Sequence, residues 1–183
     1  MSKYFLRLSI YLITCCSILI GQKIVNMNGT YDLDGDNMLE FVALELNPNK
    51  DIFPKLVRYY EIDADGYQTI MWEFIPPVAL EGDFVDAKVG DINGDGVPEL
   101  VLVMNLTRFG DNNSPHVFIA TYDWDGTHFS EIPSASLDIG KENKSLRCNN
   151  FQLLDQDADG EQEIVLSLGS PFRGFAIVGS SPS

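Results

Sequence analysis

The sequence is poor in cysteine, in histidine and in basic residues, and each shortage excludes a class of function. Its 183 residues include three cysteines and two histidines, and 12 Lys and Arg stand against 27 Asp and Glu, for a net charge of −15. So acidic a chain has few cations to pair with phosphates, which argues against nucleic acid and against an anionic membrane surface as partners. The same acidity suits a protein that holds metal cations, although it also promotes solubility.

Motifs of catalysis are lacking as well. Neither His116 nor His128 lies in a HExxH motif, and the sequence has no Gly-x-Ser-x-Gly elbow and no phosphate-binding loop. His128 follows a predicted hairpin turn, and we expect it to be an exposed strand residue rather than a base. Paired carboxylates can cleave glycosides, but the acids of this chain are spaced as metal ligands. We therefore predict that the protein is not an enzyme.

The N-terminal segment predicts export from the cytoplasm. Lys3 and Arg7 precede a mostly apolar run at 8–20, which suits the core of a signal peptide and is short for a membrane span. We predict a signal peptide over residues 1–22 and a mature protein without a membrane span. That protein would be secreted or held at the cell surface, in the periplasm or at the outer membrane if the source is bacterial. The alternatives are a lipid anchor at Cys15, which ends a rough lipobox, and a signal segment that stays uncleaved as an anchor.

Removal of such a signal would leave a single cysteine, Cys148, which cannot form an internal disulfide. We expect Cys148 to be a small buried residue. Metal ions are then a candidate for the stabilising device.

An acidic nonapeptide occurs three times. Each copy has Asp at positions one and five, Asp or Asn at position three and Glu at position nine, and the first residues lie 59 and 64 positions apart. Each copy leads directly into a short apolar run that is typical of a β-strand. The copies are Asp32–Glu40, Asp91–Glu99 and Asp155–Glu163.

This pattern predicts calcium-binding loops. Calcium takes six to eight oxygen ligands, and acids at positions one, three and five can surround one centre, with the carbonyl of position seven and the Glu of position nine completing the set. Such acids repel one another unless a cation lies among them, so binding should stabilise the fold. The predicted ligands are Asp32, Asp34, Asp36, Met38 and Glu40; Asp91, Asn93, Asp95, Val97 and Glu99; and Asp155, Asp157, Asp159, Glu161 and Glu163.

An EF-hand is excluded by position twelve of the loop. The EF-hand requires a Glu there and helices on both sides, whereas the three copies have Ala43, Leu102 and Leu166. All three are apolar residues in strand-like segments.

The rest of the chain also indicates β-structure. Asp63-Ala64-Asp65-Gly66 and Asp123-Trp124-Asp125-Gly126 favour tight hairpin turns and follow the first two acidic loops at nearly equal distances. A third hairpin would fall beyond the last residue, so the third unit is incomplete. We predict an all-β domain over residues 23–183, with units near 26–84, 85–147 and 148–183.

At its acidic loops the sequence resembles the FG-GAP and VCBS-type repeats, the blades of integrin-α-like β-propellers. The resemblance implies a partial propeller-like array of about three four-stranded blades, the third of them incomplete, and it implies the acidic ligands given above. That family usually closes the loop with Asp, whereas this sequence has Glu each time. A complete propeller has four to eight blades, so closure would need further repeats or other chains.

The resemblance also implies a function in binding. We expect a calcium-binding β-repeat module that acts in adhesion or as a scaffold, with structural calcium and a protein or glycan ligand. The alternative is an accessory carbohydrate-binding, non-catalytic part of a larger secreted enzyme. Most aromatic residues are expected in the core. Trp124, which lies between two acids in a predicted turn, is the best candidate for an exposed sugar contact.

Overall fold

In the computed structural model, residues 24–47, 54–76, 80–109, 116–125, 129–131, 137–139, 147–169 and 174–179 are described. The predicted signal segment 1–22 and His128 lie outside these residues. Within them all regular structure is β, which confirms the all-β prediction, and no helix is long and apolar enough to cross a membrane. The strands are β1 Ile24–Tyr31, β2 Leu39–Leu46, β3 Lys55–Ile62, β4 Gln68–Phe74, β5 Leu80–Gly90, β6 Glu99–Phe109, β7 His116–Trp124, β8 Phe129–Glu131, β9 Leu137–Ile139, β10 Arg147–Leu154, β11 Glu163–Gly169 and β12 Gly174–Val178.

The strands form three antiparallel sheets, each a simple meander. The first has the order β1-β2-β3-β4, the second β5-β6-β7-β8 with β9 also paired to β7, and the third β10-β11-β12. Strands β8 and β9 pair with opposite ends of β7 along one edge, because β6 occupies the other edge. They amount to a fourth strand split in two. The described residues therefore form three blade-like sheets, the third a strand short, and no closed barrel, as predicted.

The sheets stack face to face, which explains the continuous apolar runs. In β6, all five residues from Leu100 to Met104 are fully buried. Leu100, Leu102 and Met104 pack against the first sheet, whereas Val101 and Val103 pack against the third. Successive side chains of a strand point to opposite faces, so a strand between two other sheets must be apolar at every position.

The same register recurs in each sheet and leaves one face open. Val42 and Leu44 of β2 pack against the second sheet, as Val101 and Val103 of β6 pack against the third. The corresponding face of β11 carries Val165 and Ser167, which pair with Ile177 and Phe175 of β12. Phe175 is 75% exposed and Ile177 is 48% exposed. No described sheet covers this face, which we call the open face of the third sheet.

Aromatic side chains fill the space between the first and second sheets, and Trp124 is one of them. Its ring centroid lies 5.1 Å from that of Tyr59 and 5.0 Å from that of Phe129, and it is only 9% exposed. The expectation of an exposed Trp124 is therefore wrong. Trp124 is the last residue of β7 rather than part of the turn, and the register of β7 directs it into the core. Trp72 packs in the same cluster.

Polar contacts join the sheets at both interfaces. The side-chain amide of Asn105 in β6 both donates to and accepts from the backbone of Cys148 in β10, at 2.8 and 2.9 Å. The Tyr31 hydroxyl donates to the carbonyl of Val89 at 3.4 Å. Cys148 itself is 3% exposed, as expected for a small buried residue.

Candidate metal centres

The three acidic loops occupy the same place in the three sheets. They connect β1 to β2, β5 to β6 and β10 to β11, so each lies between the first and second strands of its sheet. Position nine of each nonapeptide lies at the start of the second strand. The nonapeptide that recurs in the sequence therefore occupies an equivalent position in each of the three sheets.

The backbone of each loop has a left-handed conformation at positions four and six. Glycine adopts this conformation without strain, and asparagine tolerates it. Position four of the third loop is an alanine, which the sequence did not lead us to expect in this conformation. The φ angles are 76° and 67° at Gly35 and Asn37, 74° and 84° at Gly94 and Gly96, and 63° and 100° at Ala158 and Gly160.

Three hydrogen bonds recur in every loop and fix its acids. The Asp at position one accepts from the N–H of position six, at 3.2, 2.9 and 3.2 Å in the first, second and third loops. The Asp at position five accepts from the N–H of position seven, at 2.7, 2.8 and 2.9 Å. The Glu at position nine accepts from the N–H of position two, at 2.7, 2.8 and 2.9 Å. The backbone thus orients the acids without using all of their lone pairs.

These contacts bring most of the predicted acids together. Within each group, one carboxylate oxygen per residue lies within 4.8 Å of those of the others. The groups are Asp32, Asp34, Asp36 and Glu40; Asp91, Asp95 and Glu99; and Asp155, Asp157 and Asp159. Hard oxygen donors at this spacing are the donor set that calcium prefers.

The remaining predicted ligands are placed differently. Asn93 donates from its amide to Glu99 at 3.0 Å and accepts from the Asp95 N–H at 2.9 Å, so it belongs to the second loop's network. Glu163 bonds to its own loop backbone but lies outside the convergent group of the third loop. Met38, Val97 and Glu161 contribute N–H groups to the loops, and coordination by their carbonyls stays a prediction.

The surroundings of the closing glutamates in the first two loops disfavour their ionised forms. Burial raises the pKa of Glu40, and Asp34 and Asp32 add to the effect. Burial, together with Asp95, Asp91 and Asp123, raises the pKa of Glu99 to about 7. A positive ion at the centre of either loop would reverse both effects, because it favours the ionised form.

One carboxylate oxygen of the first loop is buried without a hydrogen bond of normal geometry. Glu40 is 2% exposed, and its Oε1 makes no such bond within the described chain, although the neighbouring Tyr59 hydroxyl interacts with this carboxylate and partly offsets the rise in its pKa. A buried carboxylate oxygen without a partner is costly. A cation held by Asp32, Asp34 and Asp36 would satisfy it, so the residues present fit the ion that the repeat family implies.

The comparison with known families agrees with this geometry. Residues 32–102 match the model of the FG-GAP-like repeat. The matched segment begins at the first acid of the first loop, runs through the whole second loop and ends inside β6. No curated protein and no solved structure matches the chain. Residues 32–102 therefore contain an FG-GAP-like repeat, and the third acidic loop lies at the same place in its own sheet as the first two loops do in theirs.

Proposed function

We propose that this chain is an extracytoplasmic calcium-binding β-repeat module that acts in adhesion or as a scaffold, and that its calcium is structural. The observation that carries the proposal is the convergence of four carboxylates in the first loop, those of Asp32, Asp34, Asp36 and the buried Glu40. Two further loops repeat the backbone and the hydrogen bonds of the first. The proposed ligands are those predicted from the sequence in all three loops.

The position of the loops supports a structural role for the ions. The N–H of Gln162 in the third loop donates to the carbonyl of Asp91 in the second loop at 2.8 Å, so neighbouring loops are in contact. Ions in these loops would hold the ends of adjacent sheets together. Calcium sites of extracellular modules have Kd values of about 10⁻⁴ to 10⁻³ M, which suits constant occupancy outside the cell.

The open face of the third sheet supports a role within a larger β-structure. Equivalent faces of the first and second sheets are covered by the next sheet, so we propose that further repeats or other chains cover this one. We propose a protein or glycan ligand and exclude nucleic acid because of the acidic charge. We also propose export through residues 1–22, with lipidation of Cys15 as the alternative.

We propose no catalytic role, because we assign the clustered acids to the proposed metal sites. The alternative of an accessory carbohydrate-binding part of a secreted enzyme loses its best candidate residue, since Trp124 lies in the core. A glycan array with the wild-type protein tests that alternative directly.

Thermal unfolding in calcium and in chelator tests the main proposal. An ion present at 100 times its Kd stabilises the folded state by about 2.7 kcal/mol per site, so we expect the Tm to be markedly higher in calcium. The matched control is the triple variant Asp32→Asn, Asp91→Asn and Asp155→Asn, whose Tm should not respond to calcium. Equal Tm values of the wild type in calcium and in chelator would refute the proposal.

A further inference from the structure

The open face of the third sheet collects exposed apolar side chains from its strands. Leu154 of β10 is 47% exposed, and Phe175 and Ile177 of β12 are 75% and 48% exposed. Val165 of β11 lies beside them, because it pairs with Gln152 on one side and with Ile177 on the other. Contiguous apolar side chains on a surface are typical of a site that binds another protein.

This face is nearly uncharged in a strongly acidic chain. Of its residues from Leu154 and Glu163 at the loop end to Ser167 and Phe175 at the other end, only Glu163 is charged. Two copies of a chain with a net charge of −15 repel one another over most of their surface. The open face is a place where two copies can meet with little like charge at the contact.

The other end of the stack of sheets differs in character. The outer face of the first sheet, which is the face of β2 that bears Ala43 and Glu45, points away from the second sheet, because the alternate residues of β2 pack against that sheet. Glu45 is 2% exposed and accepts a hydrogen bond from Arg58 at 2.7 Å. Arg58 also donates to Glu73 at 2.6 Å. A network of charged side chains thus lies on this outer face.

The second and third sheets have apolar residues at the equivalent positions. Glu45 is the fifth residue after the closing glutamate of its loop, where the other two sheets have Met104 and Leu168. Arg58 is replaced by an alanine in both of those sheets, and these apolar residues pack against the preceding sheet. A first sheet laid on the open face of another copy would bury its ion pairs against apolar side chains, which is costly. Head-to-tail stacking of copies is therefore unfavourable.

We propose that the open face of the third sheet binds the same face of a second copy, so that two chains form a two-fold symmetric dimer. This inference develops the proposal that another chain covers the open face. In a two-fold dimer one surface serves both chains, and an apolar, nearly uncharged surface is complementary to itself. The face is only three strands wide, so the dimer is weak, with an interface below about 1,200 Å². At low micromolar concentration the chain is then a monomer with its face open.

Sedimentation equilibrium of the purified protein in saturating calcium tests the inference. Between about 5 and 500 µM, we expect the wild type to pass from monomer to dimer with a Kd on the order of 10⁻⁴ M. Phe175→Asp brings a carboxylate from each copy into the contact and should weaken the dimer at least about tenfold. Because Phe175 is 75% exposed, the variant should keep the Tm of the dilute wild type. Ile177→Ser, which adds no charge, should weaken the dimer in the same direction.

The matched control is Ile70→Asp. Ile70 is 45% exposed on the edge strand β4 and pairs with Tyr60, which places it on the outer face of the first sheet. The substitution removes an exposed apolar side chain and adds the same charge, and we expect the dimer to be unchanged. If Ile70→Asp weakened association as much as Phe175→Asp, the first sheet would take part in the contact and the two-fold arrangement would be wrong.

The dependence on salt separates self-association from capture of a basic partner. Since the two copies carry the same net charge, added NaCl should strengthen the dimer by screening their repulsion. A dimer that salt weakens, or an assembly that grows beyond two copies, would overturn the inference. A wild type that stays monomeric at every concentration, with a Tm that still rises in calcium, would overturn the dimer and leave the calcium proposal intact.

Discussion

The first two acidic loops and the third share a backbone but differ in what lies beneath them. Glu40 and Glu99 are each 2% exposed and belong to the convergent carboxylate groups, whereas Glu163 is partly exposed and lies outside its group. Position nine lies on the face that points toward the following sheet. The second sheet covers Glu40 and the third covers Glu99, but no described sheet covers Glu163. The nonapeptide thus determines the loop's conformation, while the neighbouring sheet determines how completely the site closes.

The largest expected difference is between substitutions of the two kinds of closing glutamate. In saturating calcium, Glu99→Gln should lower the free energy of unfolding by about 2–4 kcal/mol, because it removes a buried charged ligand. Glu163→Gln should lower it by less than about 1 kcal/mol, since exposed charges contribute little. Denaturant unfolding at fixed calcium measures both. Equal losses would show that the third loop closes as the others do.

A pH titration of the calcium-free protein should also distinguish Glu99 from Glu163. Without calcium, however, the charge of Glu99 destabilises the folded state instead of stabilising it. The pKa of Glu99 is about 7 in the folded protein, above the ordinary value of a glutamate. At pH values between the unfolded-state pKa and the folded-state pKa, the folded protein therefore binds more protons than the unfolded protein. The contribution of Glu99 to stability is therefore fully present below its unfolded-state pKa and is lost as the pH rises through about 7. We expect the Tm to fall by roughly 5 °C between pH 5 and pH 8.

Two variants serve as controls for this titration. Glu99→Gln should flatten the pH dependence of the Tm, and Glu163→Gln should leave it as in the wild type. A calcium-free Tm that rises over the same pH range would contradict the assigned cause.

Matched valines test whether the face beside the third loop is open. Val101 and Val165 occupy equivalent positions, but Val101 is fully buried between two sheets and Val165 lies on the open face. We expect Val101→Ala to cost about 2 kcal/mol, through lost burial and a cavity, and Val165→Ala to cost less than about 0.5 kcal/mol. Equal costs in denaturant unfolding would mean that another sheet or chain covers Val165 in solution.

The sequence predicts the local features of this molecule well and the features set by neighbouring sheets poorly. The spacing of Asp, Asn and Gly was enough to predict the loops, because their conformation depends on a few adjacent residues. The burial of Trp124 and the position of Glu163 relative to its group depend on which sheet packs where. Which residues face each other across neighbouring strands, such as Glu61 and Glu40, depends on strand register, which local sequence patterns do not specify.

The smallest expected effect tests whether the three loops really share one backbone. Position four is left-handed in all of them, with φ of 76° at Gly35 and 63° at Ala158. An added Cβ at Gly35 meets no other atom within 4 Å, so Gly35→Ala measures the conformational strain alone. We expect Gly35→Ala to destabilise the protein and Ala158→Gly to stabilise it, each by about 1 kcal/mol. A destabilising effect of Ala158→Gly would contradict this expectation. It would mean that the larger conformational entropy of glycine in the unfolded chain outweighs any relief of strain in the folded protein. Ala158 would then not be held in the left-handed region as Gly35 is.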